Sequence, residues 1–398
     1  MDEASTIGDR LKRLRGDRGL TQEELAAASG VSRDLIGMLE RGRRTSARLS
    51  TIKNLANALD VEIGELVERR DHLKKDRDGG SVLAVRDVLF HPNLLPGIDP
   101  ADDGEPTPLP QLDERITEAW AHYWAGRFGE LLALIPPLIA EARVTHTALG
   151  NSAAEPLALA YDVAANLMVQ IGRTDLGAIA AERALVVAHA GDDPLLWTTL
   201  HTSYARVLLF QGRYEEAVSL VTSMADRIEP SFNGSDLEIT AWGKLLLTAI
   251  APLVALERDP ADYLNAAESG AVRVRRPMHV YHHNPFSLPA VHMQAAYAYS
   301  TLKRPGEALE AARKIHLPSD GPGDLEGISR GAHLMDVAKA RCDYGHRKAA
   351  VQALLEARKV SPVWFRHQRV ARETVTEIRE REQRLSDAVK SLARSLDI

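Results

Sequence analysis

TQEELAAASGVSRDLIGMLERG, residues 21–42, is the stretch from which the fold of this chain is read. Thr21 has Glu24 three residues on, the spacing of a capping box that opens a helix. Leu25 and Ala26 turn inward, and Gly30 supplies the reversal that a helix C-terminus commonly needs. Ser32 can cap a second helix, in which Leu35, Ile36 and Leu39 fall on one side at helical spacing. The other side shows Arg33, Asp34, Gly37 and Met38, and Arg41-Gly42-Arg43-Arg44 follows. A short helix with one polar face and arginines after it is the form a major-groove reader takes.

Working outward, residues 6–16 form an earlier helix with Ile7, Leu11 and Leu14 on one face. Leu49 to Leu59 forms a later one through Ile52, Leu55, Ala56 and Leu59, and Val61, Ile63 and Leu66 a short fifth. The pattern resembles the Xre/Cro-type, lambda-repressor-like helix-turn-helix domain over about residues 5–68. The resemblance rests on Leu20, Gln22, Glu24, Leu25, Ala26, Gly30, Val31, Ser32, Ile36, Glu40, Gly42 and the Arg43-Arg44 pair. It implies a five-helix domain, residues 1–70, that binds a double-stranded DNA operator. Gly37 departs from the family, which usually places a longer side chain there.

Composition sets the frame. A chain of 398 residues is too long for one ordinary core. The net charge is −6, unevenly placed: residues 32–53 carry six Lys/Arg against two Asp/Glu. A local basic stripe on an acidic protein attracts phosphate there and repels it elsewhere. The single cysteine, Cys342, has no partner for an internal disulfide, as expected of a cytoplasmic protein. No run of about 18 apolar residues is evident, so no membrane partner is expected. Walker, GxGxxG, GxSxG and HExxH signatures are absent, so neither an enzyme nor a cofactor is expected.

Residues 71–110 are read as a linker with a short docking segment. VLAVRDVLF at 82–90 is apolar enough to dock, whereas PGIDPADDGEPTPLP at 96–110 has five prolines and four acids in 15 residues. From 111 onward a turn-like element recurs at intervals of 40 to 46 residues: AGRFGE at 125, IGRTDL at 171, QGRYEE at 211, LERDPA at 256, LKRPGE at 302 and YGHRKA at 344. QGRYEEAVSLV and KRPGEALEAARKI look like the turn and second helix of a tetratricopeptide repeat. Residues 111–398 are therefore predicted to be an α-helical repeat domain of about six pairs, an all-α right-handed superhelix with a concave groove. With AVRDVLFHP, TEAWAHYWAGRF and SPVWFRHQRVARETV, the whole resembles actinobacterial regulators that join an Xre-type domain to such repeats.

The expected DNA-binding residues are Gln22, Ser32, Arg33, Asp34, Gly37, Met38, Arg41, Arg43 and Arg44. Arg33 can fork onto guanine O6/N7 or touch a phosphate. Asp34 can accept from cytosine N4 or complement the helix N-terminus. Met38 suits a thymine methyl, Gln22 a phosphate or a brace for the reader, and the later arginines phosphates or solvent. The expected effector-binding residues are Asn166, Arg206, Trp242, His283, Asn284, Phe286, His292 and Tyr297, around a segment (278–297) that two prolines interrupt. Its histidines lack cysteine or acid partners in sequence and are not read as a metal site. The functional expectation is a homodimeric transcriptional regulator sensing a peptide or small-molecule effector, with a homodimer built mostly by the repeats and the tail. The alternative is a DNA-anchored adaptor whose repeats bind a protein partner.

Overall fold

The computed structural model describes residues 6–44, 47–61, 66, 81–92, 104–190, 193–231, 233–317, 324–366, 368–381, 385–396 and 398. The acidic-proline stretch before 104 and most of the expected fifth helix lie outside them. The N-terminal unit has α1 (Ile7–Asp17), α2 (Gln22–Ser29), α3 (Arg33–Glu40) and α4 (Leu49–Leu59). Thr21 and Glu24 form the capping box, Gly30 ends α2 at φ +65°, and the Ser32 hydroxyl accepts from Leu35 N–H at the start of α3. Leu11, Leu25, Ile36, Leu39, Leu55 and Leu66 are fully buried in one small core. Each contributes about 1.5–3 kcal/mol of apolar burial.

After α5 (Val82–Leu89) come six antiparallel helix pairs. They are α6 (Leu109–Trp124) with α7 (Phe128–Leu149), and α8 (Ala154–Gln170) with α9 (Thr174–Ala190). Next are α10 (Pro194–Phe210) with α11 (Tyr214–Arg227), and α12 (Asp236–Ala255) with α13 (Ala261–Val274). Last are α14 (Leu288–Thr301) with α15 (Pro305–Arg313), and α16 (Gly327–Asp343) with α17 (Arg347–Val360). A short α18 (Pro362–Arg366), α19 (Arg369–Arg381) and α20 (Asp387–Ser395) follow. All six sequence-predicted turns join the two helices of a pair, and all share one geometry. The second turn residue has positive φ: Gly126, Gly172, Gly212, Glu257, Lys303 and Gly345. Its N–H bonds three residues back, and the next N–H bonds five back, as in Gly212 N to Leu209 O (3.1 Å) and Arg213 N to Leu208 O (2.9 Å). This is the Schellman arrangement, which satisfies the last carbonyls of the first helix and reverses the chain.

The array does not remain an open groove. Gly327 opens α16 so close to α6 that a Cβ there would sit 2.3 Å from the Trp124 carbonyl oxygen. Ser361 Oγ donates to Gly126 O at 3.4 Å. One apolar core accordingly runs through both α5–α10 and α16–α20, so the first pair packs on the last. Residues 275–287, between α13 and α14, form a strap across the array, pinned by an antiparallel bridge, Met278–Phe286. They hydrogen-bond to four different helices and to Asp193, the cap of α10. Trp124 Nε1 donates to His282 O (2.8 Å), His283 Nε2 to Asp162 Oδ2 (2.7 Å), and Lys244 Nζ to Asn284 O (3.1 Å). Asn284 exchanges bonds with Ser329 Oγ (2.9 and 3.1 Å), and the Tyr281 hydroxyl donates to Asp193. The predicted concave groove is thus closed and crossed, because sequence periodicity carries no information on how far an array curls.

The tail packs inward as well. Val375 and Ile378 are fully buried against the array, so neither is open to a partner in the homodimer expected to use the tail. α12 is long and apolar enough to cross a membrane by length and composition, which the reading of the sequence overlooked; 67% of it is buried inside the protein, as in a core helix.

Candidate functional site

The reader helix stands on a charged pedestal. Glu40, at the end of α3, has a side chain only 3% exposed and takes a two-pronged bond from Arg15 of α1 (2.7 and 3.0 Å). Gln22 Nε2 donates to the same carboxylate at 2.7 Å, so Gln22 braces the reader. Burial pushes the Glu40 carboxyl up, yet the bonds from Arg15 and Gln22 and the Arg15 charge outweigh this and hold it below the ordinary range. α1 reaches α3 by backbone contact: a Cβ on Gly8 would fall 2.0 Å from Leu39 O. Arg15 and Gly8 were missed in the sequence, although Gly8 lies one turn before Leu11 on the buried face.

This pedestal presents an open polar face. Ser32, Arg33 and Asp34 are exposed and Met38 is half-buried. Arg33 meets Glu23 of α2 at 2.5 Å, with both side chains 61% exposed. A pair so open to water is worth at most about 1 kcal/mol, and a phosphate or base edge can displace it. Gly37 is buried beneath the Arg41 guanidinium, where a Cβ would lie 3.0 Å from a terminal nitrogen. Its missing side chain therefore seats Arg41 and does not itself reach outward. Gly42 then turns at φ +66°, and Arg43 and Arg44 are exposed beyond it.

Two more cations of the basic stripe face the repeats. Arg48, the residue before α4, lies 3.0 Å from Glu257. Lys53 lies 3.5 Å from Glu215 and 4.8 Å above the Tyr214 ring. Glu257 sits at a Schellman turn and Glu215 in the first turn of α11, so the N-terminal unit touches the ends of two helix pairs.

Of the residues expected to meet an effector, four gather around the strap. Asn166 donates to Asp162 Oδ1 (3.1 Å) and Ser203 Oγ (3.1 Å), and His283 holds the other oxygen of Asp162. Asn284 caps the cluster through Ser329. Arg206 lies one turn beyond Ser203, with a buried Nε that has no acceptor. Burial pushes the His283 imidazole down; Asp162 opposes that, and the Lys244 and Arg206 charges add to it. The others part from this group. Phe286 is fully buried against Gly243, whose Cβ would be 2.2 Å from the ring, so it is a packing residue. Trp242 is half-buried against that same core. His292 turns to Glu268 of α13 at 3.3 Å. Tyr297 is half-buried beside Asp336, with its hydroxyl pushed up to about 12 by burial.

Residues 11–66 match the family described as HTH_3, Helix-turn-helix. An uncharacterized HTH-type transcriptional regulator, y4dJ of Sinorhizobium fredii, is 45% identical over 71 residues, which are 18% of this chain and 91% of that protein. The immunity repressor protein of Bacillus phage phi105 is 33% identical over 72 residues, 18% of this chain and 49% of the repressor. The HTH-type transcriptional repressor RghR of Bacillus subtilis is 36% identical over 70 residues, 18% of this chain and 52% of its own. The chain thus spans nearly all of the first relative and about half of the other two. Among solved structures, Bacillus thuringiensis PlcR in complex with the peptide PapR7 and DNA is 18% identical. The match covers 68% of this chain and 94% of that one at a TM-score of 0.28, too low to carry an argument.

Proposed function

We propose, from the premise that this chain belongs through its N-terminal domain to the helix-turn-helix family of transcriptional regulators, that it is a sequence-specific regulator acting in the cytoplasm. It binds a two-fold symmetric operator as a homodimer, with α3 in the major groove and Arg43 and Arg44 on phosphates. Its helical repeats sense a peptide or small-molecule effector. The observation that carries this reading is the reader face itself: Ser32, Arg33 and Asp34 exposed on a helix that Glu40, Arg15 and Gln22 fix to α1 and α2. Fixed backbone with free side chains is what base readout needs. Arg48 and Lys53, held by repeat carboxylates, support communication between the two parts.

DNA titrations of the full chain at several salt concentrations test the proposal. Arg43→Ala with Arg44→Ala should weaken binding to every duplex and flatten the salt slope by up to about two units. Arg33→Ala should cost about 1–3 kcal/mol on a preferred duplex and little on a scrambled one. Wild-type protein that does not distinguish the two duplexes would sink sequence-specific reading.

A further inference from the structure

We propose that Arg41 is a second base reader of α3, its guanidinium taking a guanine edge in the major groove, and that Gly37 is the slot that lets it read. The inference rests on the reading of α3 as a major-groove helix and names a further residue that sets its sequence preference. It begins with a glycine in the body of α3. Glycine there is unfavourable relative to alanine. Gly37 is not among the glycines with positive φ, so no turn requires it. What it supplies is space. The three atoms that a Cβ at 37 would meet first all belong to the Arg41 guanidinium, at 3.0, 3.1 and 3.2 Å.

The helix sets the direction of that contact. At helical spacing Asp34, Gly37 and Arg41 fall on the side of α3 opposite Leu35, Ile36 and Leu39, and Ile36 and Leu39 are fully buried. Arg33, Gly37 and Arg41 follow one another every fourth residue, along one ridge of the helix surface. Arg41 caps α3, and its N–H still bonds to Gly37 O at 3.2 Å, so its side chain leaves from the helix itself. Side chains on a helix lean toward its N-terminus. With nothing standing at 37, Arg41 lies back by one turn and brings its guanidinium to the middle of the outward face. Gly42 then turns the chain at φ +66°, so Arg43 and Arg44 follow the turn and leave the ridge.

Position separates a base reader from a phosphate clamp. A helix seated in the major groove turns the middle of its outward face to the base edges, with the phosphates to either side. A guanidinium laid along that middle meets bases, and its planar fork matches O6 and N7 of guanine. Arg41 is exposed, and among the described residues its side chain has no ion pair or hydrogen bond to give up. Arg33, by contrast, must first leave Glu23. Contact with the bare Gly37 backbone also narrows the rotamers of Arg41 before DNA arrives, so less freedom is lost on binding.

Selection of bound sites from random duplexes by the full chain tests this, with wild type, Arg41→Lys and Gly37→Gln. Wild type should select a guanine that neither variant retains, at a position other than the one Arg33→Ala relaxes. Lysine keeps the charge and loses the fork. Arg41→Lys should therefore bind a duplex lacking that guanine as well as wild type does, with the same salt slope. Its preference for the guanine should fall by about tenfold or more. Glutamine is the better helix former, so Gly37→Gln should melt no lower than wild type and lose the guanine by displacing Arg41. Placing 7-deazaguanine, which lacks the N7 acceptor, at that position should weaken wild type by about tenfold and Arg41→Lys less. A variant of either residue that still selects the guanine would overturn the proposal. So would indifference of wild type to 7-deazaguanine, or an Arg41→Lys protein weakened equally on every duplex, the mark of a phosphate contact. Wild-type pools that stay random would remove sequence-specific reading altogether, whereas a selected site without such a guanine removes only the role of Arg41.

Discussion

Glu40 shows how a single residue can decide the posture of the reader. Its carboxylate is shared by Arg15 and Gln22, so three helices meet at one charge. Glu40→Gln leaves the Arg15 guanidinium without its counter-charge and should cost about 2–4 kcal/mol, since breaking a largely buried pair strands the other charge. Because the folded carboxyl lies below its ordinary value near 4.5, its contribution is complete above that value and is lost as pH falls through the folded one. Hydrogen exchange at the α3 amides checks both statements. Protection should fall in the variant at neutral pH, and the difference from wild type should shrink in acid. Unchanged protection would mean that apolar packing alone holds α3. At this scale the sequence was readable where a residue's role is local: the Thr21 box, the Gly30 reversal and the Ser32 cap follow from spacing. Arg15 and Gly8 were not, because their partners are 25 or more residues away and no period announces them.

Elements obey a stricter rule than their sequences suggest. Six Schellman turns define the pairs; four place glycine at the left-handed position, while Glu257 and Lys303 occupy the other two. A side chain in that region costs about 1–2 kcal/mol. Gly212→Ala should therefore destabilise by about that amount. Lys303→Gly should be neutral or stabilising, the relief of strain offset by chain entropy and by the Asp343 contact it loses. Thermal melts of the two variants decide it: a stabilising Gly212→Ala or a clearly destabilising Lys303→Gly would show that these turns are not conformationally equivalent. Gly-Arg pairs mark three of the six turns in the sequence, and the recurring interval finds the rest. The strap was legible only as an interruption by prolines. That it bonds to Trp124, Asp162, Asp193, Lys244 and Ser329 depends on the curl of the array, a sum of many small interhelical angles.

Across the whole molecule, the reader and the array meet through charge. Arg48 and Lys53 face Glu257 and Glu215, and the DNA backbone offers the same cations a competing set of negative charges. Glu215→Gln with Glu257→Gln should tighten binding to any duplex and steepen the salt slope by one to about two units. An unchanged slope would mean that these contacts persist on DNA. The proposed homodimer would need apolar area on the repeats, where Leu149, Val186 and Val272 are exposed. The central claim is that two copies of α3 read a defined sequence together. Selection of bound sites from random duplexes by the full chain is its most direct test. The account predicts enrichment of a two-fold symmetric site with half-sites about one helical turn apart, and loss of one selected base position in each half-site with Arg33→Ala. Selected pools that remain random, or a single asymmetric site that Arg33→Ala selects equally well, would contradict it.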